Sequence, residues 1–130
     1  MKTHKDLDAY NYALDLTDAV YEVTKKFPEE EKFCLTNQMR RAAISVPSNI
    51  AEGAARHGEK EFVHFLYIAL GSLTELDTQN IISKRQKLIE ESDYHKIEEN
   101  INRVKRKLIG LIKSIKSKRT WSSSKQDKSL

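Results

Sequence analysis

A chain of 130 residues, 38% hydrophobic and 32% charged, has room for one core and enough apolar side chains to build it. Four glycines and two prolines are too few for the frequent turns of an all-β fold, and no apolar run approaches the roughly 18–20 residues of a membrane span. The single cysteine, Cys34, excludes an internal disulfide and a Cys-based zinc cluster, while a net charge of +4 turns attention to polyanionic partners.

The opening residues alternate charges with Tyr and Leu and hold no signal-peptide h-region, so a reducing cytoplasm is the expected compartment. A first helix is expected over about Asp6–Phe27. Leu7, Tyr10, Leu14, Thr17 and Tyr21 recur at helical spacing, and so do Ala9, Ala13, Leu16, Val20, Val23 and Phe27. Two adjoining stripes make a wide apolar face, more than the chain's other helices are expected to cover, which predicts a closed oligomer. Pro28 and the acidic run Glu29–Glu31 end this helix.

Thr36, with Leu35 before it, is the expected N-cap of a second helix that continues through Met39, Ala42, Ala43, Val46, Ile50 and Ala54 to Gly58. Pro47 in its middle removes one backbone hydrogen bond and predicts a kink or a break. Gly58 then opens a third helix, from Glu59 to about Leu88, with Phe62, Phe65, Leu66, Ala69, Leu70, Leu73, Leu76 and Ile81 as its core face. The short turn makes helices two and three antiparallel. Ser92 is the expected cap of a fourth helix, whose Ile97, Ile101, Val104, Leu108, Leu111 and Ile115 form a seam of left-handed bundle type. The pattern predicts an all-α, antiparallel up-down four-helix bundle over residues 1–116, its second helix kinked at Pro47, and a disordered basic tail over residues 117–130.

Acids open helices one, three and four and bases close them, the order that the helix dipole favours. Helix two runs the other way, with Arg40 and Arg41 early and Glu52 late. In a tight hairpin of helices two and three Arg40 falls near Glu75, which suggests a structural ion pair that fixes register. A ligand-facing Arg40 is the other reading.

Chemical motifs are scarce. A di-iron bundle needs two Glu-x-x-His motifs, and the chain has one, Glu61-Phe-Val-His64. The segment Gly53-Ala-Ala-Arg-His-Gly58-Glu59-Lys60 has the spacing of a P-loop, but Glu replaces its Lys and no strand precedes it. Ser45 and Ser48 lie in no nucleophile elbow, and Cys34 has no spaced histidine partner. No catalytic residue, metal or cofactor is expected, and an enzyme is not the expected function.

Charge is distributed unevenly. Residues 1–83 carry 9 Lys/Arg and 13 Asp/Glu, whereas residues 84–130 carry 14 and 6. Eight bases and no acid lie between Arg103 and Arg119. On a helical wheel Arg106 and Lys113 stand opposite the apolar seam, Lys105 and Lys116 on one flank, Arg103 and Lys107 on the other. Dipole complementarity explains only the last turn, so this broad surface is a candidate polyanion-binding site. No aromatic is interleaved with it, which points to phosphate contact without base stacking.

Two long segments carry a resemblance: Leu35-Thr-Asn-Gln-Met-Arg-Arg-Ala-Ala-Ile-Ser-Val-Pro-Ser-Asn-Ile-Ala-Glu-Gly53 and Glu61-Phe-Val-His-Phe-Leu-Tyr-Ile-Ala-Leu-Gly-Ser-Leu-Thr-Glu-Leu-Asp-Thr-Gln79. Over about residues 4–116 the chain resembles the bacterial four-helix bundle family whose founding members are encoded in intervening sequences of large-subunit ribosomal RNA genes. The resemblance implies an up-down bundle assembled into a ring-like homopentamer. A related protein, the accessory subunit of diversity-generating retroelements, forms a similar basic barrel that binds nucleic acid and a reverse transcriptase. By that similarity RNA, DNA or a nucleic-acid-handling protein is the expected partner, with no membrane. The block Ser45, Pro47, Asn49, Ile50, Ala51, Glu52 and Gly53 carries over as a structural signature. A non-enzymatic nucleic-acid-binding oligomer is thus expected, and a protein scaffold without nucleic-acid contact is the alternative.

Overall fold

The computed structural model describes the backbone of residues 3–129 and, Asp6 apart, the side chains of residues 3–117. Four helices make up the fold: α1 (Asp8–Thr24), α2 (Leu35–Ala54), α3 (Glu59–Arg85) and α4 (Glu91–Ser129). Short 3-10 turns at His4–Asp6 and Glu29–Glu31 precede α1 and α2. Each helix packs against two others, α1 and α3 both lying on α2 and α4, so the helices stand at the corners of a square. Lys26 pairs with Asp93 and Glu22 with Lys96, which sets the end of α1 against the start of α4. The up-down topology expected from the apolar spacing is therefore present. The disorder expected for residues 117–130 concerns a tail whose side chains from residue 118 onward lie outside the described residues.

Backbone chemistry places the helix ends differently from side-chain capping rules. Thr36 is not the cap of α2. Cys34 holds that position without a side-chain bond, and its carbonyl accepts from Gln38 while its own N–H bonds Glu31. The preceding 3-10 turn thus runs into the helix, and Thr36 is buried in the first turn. In α4 Glu90, whose carbonyl accepts from Tyr94 N at 2.9 Å, stands in the place expected for Ser92. α3 stops at Arg85, short of Leu88, because Lys87 adopts φ +59° and Leu88 N returns to Ser83 O at 2.9 Å. That return bond closes the last turn as a left-handed cap does, and it brings Leu88 back against the core.

Pro47 lies buried inside α2, and the helix continues through it to Ala54. Having no N–H, Pro47 leaves the Ala43 carbonyl without its usual partner. Thr17 of α1 faces that carbonyl, with Oγ1 at 3.3 Å from Ala43 O and 2.9 Å from its own Ala13 O. Two residues either side, Asn49 Nδ2 donates to Ser45 O and Ser45 Oγ, and Ser45 Oγ lies 2.8 Å from Ser72 Oγ on α3. At Gly53 an added Cβ would sit 2.7 Å from Phe65 Cβ, so only glycine permits this approach of α2 to α3. The Ser-x-Pro-x-Asn block is therefore a packing device that ties α2 to both neighbours.

Leu16, Met39, Ile50, Leu66, Leu73 and Leu108 are among the fully buried side chains of the core. The α4 seam drifts in its last turns, where Ile112 is buried and Leu111 only half-buried, as expected when 3.6 residues per turn meet a seven-residue repeat. On α3 the core face is Val63, Leu66, Ala69, Leu73 and Leu76, with Phe62, Phe65 and Leu70 on its flanks. Ile81, expected in the core, is 42% exposed. Gln79, Asn80 and Ser83 take the inward positions there, and with Thr24 and Thr36 they place all five buried polar residues among those described at one end of the bundle. Thr24 and Ser83 bond backbone carbonyls, and Asn80 Nδ2 donates to Tyr94 O. The oxygens Gln79 Oε1 and Asn80 Oδ1 have no partner.

Candidate nucleic-acid interface

α4 turns by 100° per residue, so burying Ile97, Ile101, Val104 and Leu108 against α1 and α3 forces the intervening bases outward. Arg103, Lys105, Arg106, Lys107, Lys113 and Lys116 are all exposed. Arg103 and Lys107 lie on the α1 flank. Their charged ends stand 5.2 Å and 5.7 Å from the ring centre of Tyr12, and Lys107 Nζ is 3.7 Å from Asp8. Lys105 and Lys116 lie on the α3 flank. Lys105 shares a crevice with Asp77 and Asn102, and Lys116 Nζ donates to Tyr67 Oη at 2.8 Å. The side chains of Lys118 and Arg119 lie outside the described residues.

Tyr12 and Tyr67 are the members of this surface that the sequence of α4 does not announce. They sit on α1 and α3, and only packing of the helices brings them beside the cations. Tyr67 is 48% exposed, so the surface offers an aromatic face after all. Spacing along α1 and α3 gives no sign of it, because the period of a flanking aromatic is the same as that of a core one.

A ladder of ion pairs runs along the rest of the α1–α4 seam. The Lys26 ammonium is held above its ordinary pKa by its hydrogen bond to Asp93 and by that carboxylate's charge. At the start of α4 a hydrogen bond from His95 and the nearby Lys84 hold the Glu91 carboxyl below its ordinary range.

The Arg40–Glu75 ion pair is not formed. Arg40 Nε donates to Thr24 Oγ1 at 2.9 Å, and its guanidinium lies 4.5 Å from the Tyr21 ring centre. Ser45 facing Ser72 fixes the α2–α3 register, and Arg41 rather than Arg40 lines a polar groove with Glu75, Asn37 and Ser72. Glu61 and His64 of the Glu-x-x-His motif are both exposed on α3, pointing away from the bundle interior where a di-iron site would be built. Among the described residues no group of three or more His, Cys, Asp or Glu could hold a metal ion. The segment with P-loop spacing is the last turn of α2 and a hairpin, where the amides of Ala55 and Arg56 bond back into α2 and that of Phe62 to Gly58 O. Among the described residues no helix is long and apolar enough to cross a membrane.

No curated protein matches the chain. One solved structure similar to it is a protein of unknown function from the S23 ribosomal protein family of Bacteroides thetaiotaomicron VPI-5482. The two share 24% identity and superpose with a TM-score of 0.75 over 81% of this chain and 95% of the other, a likeness of fold. Residues 5–110, which hold α1 to α3 and the first half of α4, match the 23S rRNA-intervening sequence proteins, and the chain belongs to that family.

Proposed function

We propose that the chain is a non-enzymatic, oligomeric nucleic-acid-binding protein of the cytoplasm that takes RNA on the basic surface of α4. The observation that carries this reading is the lack of carboxylate partners on that surface. Of the six bases from Arg103 to Lys116 only Lys107 meets an acid among the described residues, and no acid lies in that stretch of α4. Cations held without counter-charges are free to exchange their counterions for phosphates, the main source of nucleic-acid affinity. The name of the family, tied to 23S rRNA, favours RNA over DNA.

An outer face of α3 supports assembly. Ile68, Ile81 and Ile82 are each about two-fifths exposed, and residues 62–74 hold no Asp, Glu, Lys or Arg, Glu75 and Asp77 coming before Ile81. A second copy covering this face would bury it, and the resemblance implies that the ring contains five. The same face would serve a nucleic-acid-handling protein in the scaffold reading.

A salt titration decides between the two. Changing Arg103, Lys105, Arg106 and Lys107 together to Gln leaves the buried seam intact and keeps good helix formers. Every phosphate that the variant no longer neutralises lowers the slope of log K against log salt by about 0.7 for single strands or 0.9 for duplex, so the variant's slope should fall by about 3 per protomer. The weakening should be equal across unrelated sequences, because phosphate contacts position a strand without reading it. Unchanged affinity and slope on both RNA and DNA would leave the scaffold reading in possession.

A further inference from the structure

On the α1 flank of the basic surface an open groove of about 540 Å³ runs between the start of α1 and the middle of α4, within the roughly 300–1,000 Å³ of small-ligand sites. Half-buried Leu7 and Leu111 give it an apolar floor. Exposed Arg106 and Lys107 stand on its α4 wall, and Asp8 stands opposite, 3.7 Å from Lys107. Gly110 completes that wall. A glycine in mid-helix weakens the helix relative to alanine, and at Gly53 close packing explains it. At Gly110 packing does not, since an added Cβ would have nothing within 4 Å, as at Gly71. A larger side chain placed at 110 would stand in the groove's open space.

Resting on the nucleic-acid reading above, we propose that this groove is a slot for one unpaired nucleobase, so that the surface prefers single-stranded RNA or loops to duplex. The floor suits the flat apolar face of a base and offers nothing to a phosphate. Asp8 repels a phosphate from the groove and can accept a hydrogen bond from a base's exocyclic amino group. Arg106 and Lys107, at the groove's edge, take the flanking phosphates. A paired base cannot enter, because its face is covered by its neighbours in the stack.

The test uses Gly110→Leu, which fills the groove, adds a good helix former and removes no charge. Fluorescence anisotropy compares the full-length wild type and variant on an unstructured RNA oligonucleotide and on an RNA duplex of the same length. The variant should lose about tenfold in affinity for the unpaired strand, the order expected from burying one apolar face of a base on the leucine floor, and should bind duplex as before with the same salt slope. Gly110→Ala should show a smaller loss in the same direction. Wild type that binds neither RNA overturns the nucleic-acid reading and the slot with it. Wild type that binds, with Gly110→Leu unchanged or weakened equally on both ligands, overturns the slot alone. A change in oligomeric mass of Gly110→Leu assigns the groove to a contact between copies and also overturns it.

Discussion

Arg40 and Arg41 are adjacent in sequence and 100° apart on α2, so one faces α1 and the other the α2–α3 groove. Hairpin geometry read from the sequence sets Arg40 at the height of Glu75, but height along the helices does not fix which way a side chain faces, and Arg40 turns to α1 while Arg41 lines the groove with Glu75. Arg40 instead couples α2 to α1 by donating to Thr24 and lying over Tyr21. Arg40→Ala should therefore destabilise the protein by about 1–2 kcal/mol, the sum expected of one partly buried hydrogen bond and one cation–π contact. In double-mutant cycles followed by urea denaturation, Arg40→Ala and Tyr21→Leu should fall short of additivity. Arg40→Ala and Glu75→Ala should add. Coupling to Glu75 with none to Tyr21 would contradict the assignment.

At the scale of elements, apolar spacing is enough to find all four helices and their order. The ends are harder to read: α2 and α4 begin without the expected side-chain caps, and α3 closes on a lysine in the left-handed conformation. The excess apolar surface expected on α1 is mostly covered, since Thr17 and Tyr21 are engaged with α2. Leu14 remains, at 39% exposure. The larger uncovered face belongs to α3, where hydrophobic residues on the inner and outer sides have the same period and burial alone separates them. If that face holds copies together, replacing Ile68 and Ile82 by Glu should lower the mass seen by native mass spectrometry while circular dichroism stays helical. An unchanged mass would place the contact on another helix.

For the whole molecule, the fold is legible because long periodic segments and a distinctive block around Pro47 agree on one architecture. The candidate interface is legible only as a set of cations. What surrounds those cations, Tyr12, Tyr67, Asp8 and Leu7, comes from outside α4 and is set by packing. The polar layer at one end of the bundle has a consequence of its own. Gln79 Oε1 and Asn80 Oδ1 are buried without partners, and each such oxygen offsets about 1–3 kcal/mol of local stabilisation. The opposite half, around Leu66 and Leu108, holds no buried polar side chain among the described residues. Breathing motions should therefore begin at the polar end, with the α3–α4 turn parting first while the Pro47 region stays closed. Native-state hydrogen exchange should show amides of residues 79–85 and 94–98 protected less than those of residues 63–69 and 104–108. The basic stretch of α4 would then keep its shape through openings that loosen the far end, and a bound strand would rest on the last part of the molecule to unfold.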